Sequence, residues 1–392
     1  MNHKVSLGLT ISITALACAI TFIVTSFFSL QGFNEKVQAV NEKAEKYERL
    51  EALDTYIREN YYTDLDEDSL MDGLLKGYVE GLDDPYSQYL TSEEYQALME
   101  KESGQTVGIG VTVTESEEGY IQIIEVQENS PAEDAELQAD DLIIAVEGED
   151  VQALGFDEAV DRVRGEEGTT VRLTIRRNGQ DSDKVITRRT FDTITVKGQL
   201  LSSSIGYIRI SSFRENTAEQ FQDTLDTLLA NGAEALIFDV RDNGGGLLSS
   251  LEKMLDPLLP EGVIATATYS GGNTETIVYS DDSELDLPMI VLVNENTASA
   301  AELFSASLRD FGKAQLVGVT TYGKGVMQVT RAMEDGGGLT LTVATYQTTR
   351  SECYQGVGLT PDIVVETGED TVISNVDPAT DPQLSKAIAL LS

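Results

Sequence analysis

The chain has one histidine, His3, and it precedes an apolar N-terminal run. No Ser–His or Cys–His nucleophile pair can therefore form in the folded part, unless His3 crosses a membrane. The two cysteines are Cys18, inside the apolar run, and Cys353, far downstream. That spacing argues against an intrachain disulfide, and no His/Cys zinc cluster can be assembled. Neither a metal nor a cofactor is expected. Any general base in the folded part must be Lys, Asp, Glu or Tyr.

The formal net charge is −40, from 67 acids and 27 bases. Phosphate binding needs clustered Lys and Arg, so nucleic acid is excluded as a partner. An acidic surface also draws no help from anionic lipid, beyond any inserted segment. At 392 residues and 41% hydrophobic content, the chain can build more than one core.

No charge occurs from Val5 to Asn34, and the run is rich in Leu, Ile, Val, Ala and Phe. It exceeds the roughly 20 apolar residues that a spanning helix requires. Lys4 on its N-terminal side favours a cytoplasmic stub with the catalytic part outside. The expectation is a single-pass cell-membrane protein, anchored over 1–34. The alternative is a cleaved signal peptide, although no clean small-x-small site follows the run.

Four regions follow from the patterning: the anchor at 1–34, a helical region at 35–103, a small β unit at 104–180 and a larger α/β unit at 181–392. Val37, Val40, Ala44, Tyr47, Leu50 and Leu53 recur at spacings of three and four, a stripe that permits packing on a second copy. Asp64, Asp66 and Asp68 suggest a calcium loop, but Ser69 and Leu75 stand where Gly and Glu are required. In the last region two apolar strands, Leu236–Val240 and Met289–Val293, run into polar loops. Functional groups in such sheets gather beyond the carboxyl ends of strands.

Three segments near those loops are candidates for chemistry. Ser299, at a strand-to-helix junction, reads as a helix cap with Glu302 or as a nucleophile beside helix N–H groups. Gly244-Gly245-Gly246 reads as a plain turn or as backbone open to a developing oxyanion. Lys324 lies in a near match to the phosphate loop G-x-x-x-x-G-K-S/T, but Gly325 lacks the hydroxyl for Mg²⁺. It reads as a surface turn, or as an amine whose pKa is lowered in an apolar site so that it can act as a base. Spacing alone cannot bring Ser299 and Lys324 together.

The segments Thr297-Ala298-Ser299-Ala300-Ala301-Glu302 and Gly323-Lys324-Gly325-Val326-Met327-Gln328 resemble the Ser and Lys motifs of the carboxyl-terminal processing peptidases. Leu82-Asp83-Asp84-Pro85-Tyr86-Ser87, Asp239-Val240-Arg241-Asp242-Asn243-Gly244-Gly245-Gly246 and Gly358-Leu359-Thr360-Pro361-Asp362 resemble further motifs of that family, in the same order. Residues from Val107 to Arg177 resemble its PDZ domain.

Behind the transmembrane helix expected from the apolar run, the resemblance implies a multidomain α/β fold: a helical segment, a PDZ domain at 104–180 and a crotonase-like serine peptidase core at 181–392. It implies an endopeptidase acting near or at protein C-termini, with Ser299 as nucleophile, Lys324 as general base and Gln328 positioning Lys324. Backbone N–H groups of Ala300 and of Gly245 or Gly246 would form the oxyanion hole. The loop of Val107, Gly108, Ile109, Gly110 and Val111 would hold a substrate's C-terminal tail as an added strand. Arg164 matches a position that in relatives links the PDZ domain to the catalytic unit. The partners expected are protein substrates with accessible C-termini, from the resemblance, and the membrane, from the apolar run; the stripe permits a homodimer.

Two departures stand out. Glu136 and Asp140 occupy positions where PDZ domains usually carry Gly, and Tyr346–Arg350 lacks the family's usual Pro-Ser-Gly turn. A rival reading is a membrane-tethered PDZ scaffold with a degenerate catalytic unit.

Overall fold

The computed structural model describes residues 7–201, 204–368 and 371–392, without most side chains of 7–46. The chain divides into two compact units, 1–74 and 75–392.

In the first unit, helix α1 (Leu7–Asn60) is continuous through the expected anchor and beyond it. Near its end Arg58 bonds Asp54 at 2.7 Å and Glu67 at 2.5 Å. Glu67 opens helix α2 (Glu67–Glu80), so the exposed pair joins the two helices. Among the described residues no helix is long and apolar enough to cross a membrane. Within the described part of α1, Leu16, Ile20, Phe22, Val24, Phe27, Phe28, Leu30 and Phe33 are all exposed. Of the apolar stripe, Tyr47 and Leu53 are exposed and Leu50 is half-buried; the side chains of Val37, Val40 and Ala44 lie outside the description.

The second unit begins with strand β1 (Gln88–Leu90) and helix α3 (Ser92–Ser103). Thr91 and Glu94 close a capping box on α3, and Gly104 ends it at φ 73°. The purely helical reading of 35–103 is thus corrected at β1. Three residues are too short for period-2 alternation to show, and the strand's partner lies some 250 residues on.

Strand β2 (Gln105–Gly108) leads into the small β unit: β3 (Val111–Glu115), β4 (Ile121–Val126), α4 (Pro131–Asp134), β5 (Leu142–Val146), β6 (Glu149–Asp150), α5 (Val151–Leu154), α6 (Phe156–Val163), β7 (Thr170–Arg177) and β8 (Gln180–Thr187). The sheet order is β3-β4-β5-β7-β8 with β6 on β5. Alternate residues of its strands, among them Ile121, Ile123, Val171, Leu173 and Ile175, are buried with Ala159 and Val163 of α6. Strand β9 (Arg189–Asp192) returns antiparallel to β2. Glu136 and Asp140 keep the left-handed backbone that a Gly would favour, at φ 59° and 69°. Arg177 compensates by donating to Glu136 O at 2.8 Å and gripping Asp141 at 2.5 and 2.6 Å.

The remainder comprises β10 (Val196–Leu201), β11 (Ile205–Ile210), α7 (Thr217–Ala230), β12 (Ala235–Asp239), α8 (Leu248–Leu255), β13 (Gly262–Tyr269), β14 (Thr274–Ser280), β15 (Met289–Val293), α9 (Ala300–Asp310), β16 (Ala314–Gly318), β17 (Val326–Ala332), β18 (Gly338–Thr348), β19 (Ile363–Val364) and α10 (Pro382–Leu391). One sheet runs β10-β11-β12-β15-β16-β19, parallel from β11 onward. β12 and β15 are buried throughout, as strands covered on both faces must be. The second sheet runs β1-β18-β13-β14, with β17 also on β18. Core side chains of α7, α8 and α9 fill the space between the parallel sheet and β13, β14 and β18.

Candidate active site

Three loops leave the carboxyl ends of the parallel strands β12, β15 and β16, and hydrogen bonds stitch them together. Asp242 and Asn294 exchange two bonds, Asp242 N to Asn294 Oδ1 at 2.9 Å and Asn294 Nδ2 to Asp242 Oδ1 at 2.8 Å. Thr297 Oγ1 donates to Val240 O at 2.9 Å, and Ala298 N to Asn243 O at 2.9 Å. From the third loop, Tyr322 N donates to Thr297 O at 3.0 Å.

Ser299 stands at the junction with α9 at φ 56°, ψ −121°. An ordinary N-cap residue is extended. This backbone costs a non-glycine residue about 1–3 kcal/mol and persists only where its surroundings impose it. Glu302 supplies part of that constraint. Its side chain is fully buried and accepts four bonds: from Ser299 N (2.9 Å), Thr321 Oγ1 (2.5 Å), Gly323 N (2.7 Å) and Lys324 N (2.8 Å). One carboxylate thus holds both the serine turn and the lysine loop. The cap and the site are not alternatives, because the acid that caps α9 also places Lys324.

Ser299, Ala300, Gly246, Lys324 and Gln328 line one cleft of about 470 Å³. Its apolar wall includes Leu247, Leu248, Ile277, Leu303 and Met327. Tyr346 also lines it; this buried phenol donates to Lys324 O at 2.8 Å. Lys324 Nζ sits 4.5 Å from the centroid of the Tyr86 ring. Burial holds the Lys324 pKa below its ordinary value, against the opposing attraction of Asp84 and Glu302. Burial pushes Tyr86 up to about 12, helped by its hydrogen bond with Tyr322.

The other site residues expected from sequence sort unevenly. The Gly245 N–H is spent on Asn243 Oδ1 at 2.8 Å. Among the described residues the N–H groups of Gly246 and Ala300 have no such partner. Gln328 Nε2 donates to Thr342 Oγ1 at 3.0 Å, and no bond joins Gln328 to Lys324 among the described residues. Val107, Gly108, Ile109, Gly110 and Val111 line a separate groove of about 190 Å³ with Val160, Val163, Arg164 and Phe191. The exposed Arg164 guanidinium bonds Asp161 at 3.3 Å, and no bond from it to the peptidase part occurs among the described residues. At Tyr346–Arg350 the missing turn is replaced by bonds to Asp310: from Thr348, from Ser351 Oγ at 2.7 Å, and from Arg350 Nη1 to its carbonyl at 2.5 Å.

Sequence reading did not connect Tyr86 or Asp84 with Lys324, and read Glu302 locally as a cap. The family-like motif around Asp84 marked the segment, but nothing local points it at Lys324.

Comparison with known proteins bears on this geometry. The model of peptidase family S41 matches residues 204–365, that of the PDZ domain 122–177, and that of the activating protease CtpB N-terminal domain 15–94. The carboxy-terminal processing protease CtpA of Bacillus subtilis (strain 168) is 35% identical over 369 residues, 93% of this chain and 78% of that one. A probable CtpA-like serine protease of Staphylococcus aureus (strain N315) is 32% identical over 358 residues, 90% of this chain and 71% of that one. A putative S41 protease from Bacteroides fragilis NCTC 9343 shares the fold, with a TM-score of 0.52 at 18% identity over 84% of this chain and 98% of that one. The chain belongs to peptidase family S41 and is a serine-type peptidase. Within that family it is a CtpA-like carboxy-terminal processing protease with a PDZ domain.

Proposed function

We propose that this protease is a membrane-anchored, extracytoplasmic endopeptidase that cleaves proteins near or from their C-termini with a Ser299–Lys324 dyad. The observation that carries the dyad is the single cleft shared by Ser299, Lys324 and the unpartnered N–H groups of Ala300 and Gly246. Neutral Lys324 takes the Ser299 proton as Oγ attacks the scissile carbonyl. The oxyanion is received by Ala300 and Gly246, and the lysine ammonium then protonates the leaving amine. Water hydrolyses the acyl-enzyme by the same proton path. Among the described residues Gln328 bonds Thr342 and not Lys324, so its support of the base is indirect. The apolar cleft wall suits an apolar side chain beside the cut, and the groove around Val107–Val111 suits an apolar tail. The exposed apolar side chains from Leu16 to Phe33 favour a membrane anchor.

General-base assistance is typically about 10²–10⁴-fold. Ser299→Ala and Lys324→Ala should each abolish cleavage of a fluorogenic peptide with an apolar C-terminal tail. Amidating the tail carboxylate should raise KM. Wild-type activity should climb toward alkaline pH, because the base works only after losing its proton. Full activity in either variant would refute the dyad. Tail binding without cleavage by the wild type would instead favour a scaffold.

A further inference from the structure

The turn from α2 into β1 reaches the cleft from a part of the chain that the Ser–Lys chemistry does not use. Asp83 turns the backbone at φ 55°. Asp84 then accepts from Ser87 Oγ at 2.5 Å and from Tyr86 N at 3.2 Å. Ser87 Oγ in turn accepts from Thr342 N on β18 at 3.0 Å. Immediately after the turn, β1 pairs with β18 from Gln88↔Thr340 to Leu90↔Gly338. The turn is therefore fixed at both ends, and it presents Pro85 and Tyr86 to the cleft.

Lys324 has the complementary need. Its side chain is a flexible four-carbon stem carrying a compact charge. Its chain neighbours, Gly323 and Gly325, offer no side-chain wall. A base on such a stem is effective only when confined near its proton donor. The Tyr86 ring, 4.5 Å from Nζ, is that wall, and its face attracts the charged amine. Asp84 is the carboxylate of the same turn whose field reaches the amine. Thr342 accepts from Gln328 Nε2 at 3.0 Å and donates its N–H to Ser87 Oγ at 3.0 Å, and Ser87 in turn donates to Asp84, so this relay ties the turn to β17.

Resting on the Ser299–Lys324 reading, we propose that Tyr86 and Asp84 are positioning residues for the Lys324 base. The ring confines the amine at the cleft, and the carboxylate balances its charge once it has taken the serine proton. The titratable groups that bear on Lys324 are Asp84 and Tyr86 from this turn and Glu302 from α9, while Tyr346 and Cys353 bond the carbonyls of Lys324 and Gly325 in its loop. Burial disfavours the ammonium, while Asp84 and Glu302 favour it. Removing the Asp84 charge therefore frees the neutral amine at lower pH.

The test is the pH profile of kcat/KM for the full chain on the fluorogenic tailed peptide, each variant first checked for an unchanged melting temperature. Asp84→Asn keeps the shape and an oxygen for Ser87. It should move the alkaline-rising limb toward lower pH, on the order of half a unit or more. Tyr86→Leu should lower the plateau roughly 10- to 100-fold through loss of confinement. Tyr86→Phe, which keeps the ring face, should restore most of it. A limb unmoved in Asp84→Asn, or a Tyr86→Leu enzyme as fast as wild type or faster, overturns the proposal. Lys324→Ala separates the two readings. If it is inactive while the turn variants match wild type, only the positioning role falls; if it is active, the dyad falls as well.

Discussion

Gly245 takes φ +99°, and a Cβ built there would stand 2.8 Å from Ser299 Cβ and 2.9 Å from both Ala298 O and Ala300 N. Two of those three neighbours are backbone, which cannot swing aside. Gly245→Ala must therefore push the serine turn and the Ala300 donor apart. A displacement of about 1 Å can cost 10²-fold in rate. A loss of that order in kcat/KM is expected, with the left-handed strain lowering stability by about 1–3 kcal/mol. Wild-type kinetics in the alanine variant would show that the loop accommodates the methyl elsewhere. The sequence offered Gly245 and Gly246 as equal candidates for the oxyanion donor. Only the Asn243 side chain, folding back on its own loop, distinguishes them, and a side-chain bond within a Gly-rich loop leaves no trace in periodicity.

At the scale of elements, α10 is latched to the loop after β12 by a buried ion network. Arg241 bonds Asp239 at 2.6 Å, Asp381 at 2.8 Å and Gln383 Oε1 at 2.9 Å, with Arg241, Asp239, Asp381 and Gln383 all buried. Asp381 also caps α10, accepting from Gln383 N and Leu384 N at 3.0 Å. Removing one partner of a buried pair typically costs about 3–5 kcal/mol. Asp381→Ala should lose about that much in denaturant unfolding, while Asp381→Asn, which keeps the cap, should lose less. Equal, small losses in both would mean that Asp239 alone suffices for Arg241. Strands β12 and β15 were legible because each is a short apolar run ending in a polar loop. β1 was not, because its pairing with β18 closes a loop of some 250 residues and leaves only three residues of pattern. For the same reason Asp84 and Tyr86 were invisible as neighbours of Lys324.

At the scale of the whole molecule, α1 bears on where the protein resides. The described part of α1 exposes eight large apolar side chains between Leu16 and Phe33, and Val5 to Asn34 is uncharged. Leaving that much apolar surface in water is costly, and insertion in a bilayer removes the cost. The full chain should sediment with membranes through an alkaline carbonate wash and be released only by detergent. Recovery of the intact chain in the wash would overturn the anchor. Membership of the S41 peptidases and the presence of a PDZ domain were readable from motif order. The bonds among the three loops were not, since they join side chains with backbone far along the chain.

The β2–β9 pair has a mechanical side. Four residue pairs, Gln105↔Asp192 to Gly108↔Arg189, form a ribbon through which the chain both enters and leaves the PDZ domain. The domain is thus tied to the rest of the chain by two hydrogen-bonded strands in place of two loose linkers. Val107, Gly108 and Phe191 belong to that ribbon and also line the separate groove of about 190 Å³. Any ligand that fills this groove would therefore touch the very strands that carry the domain.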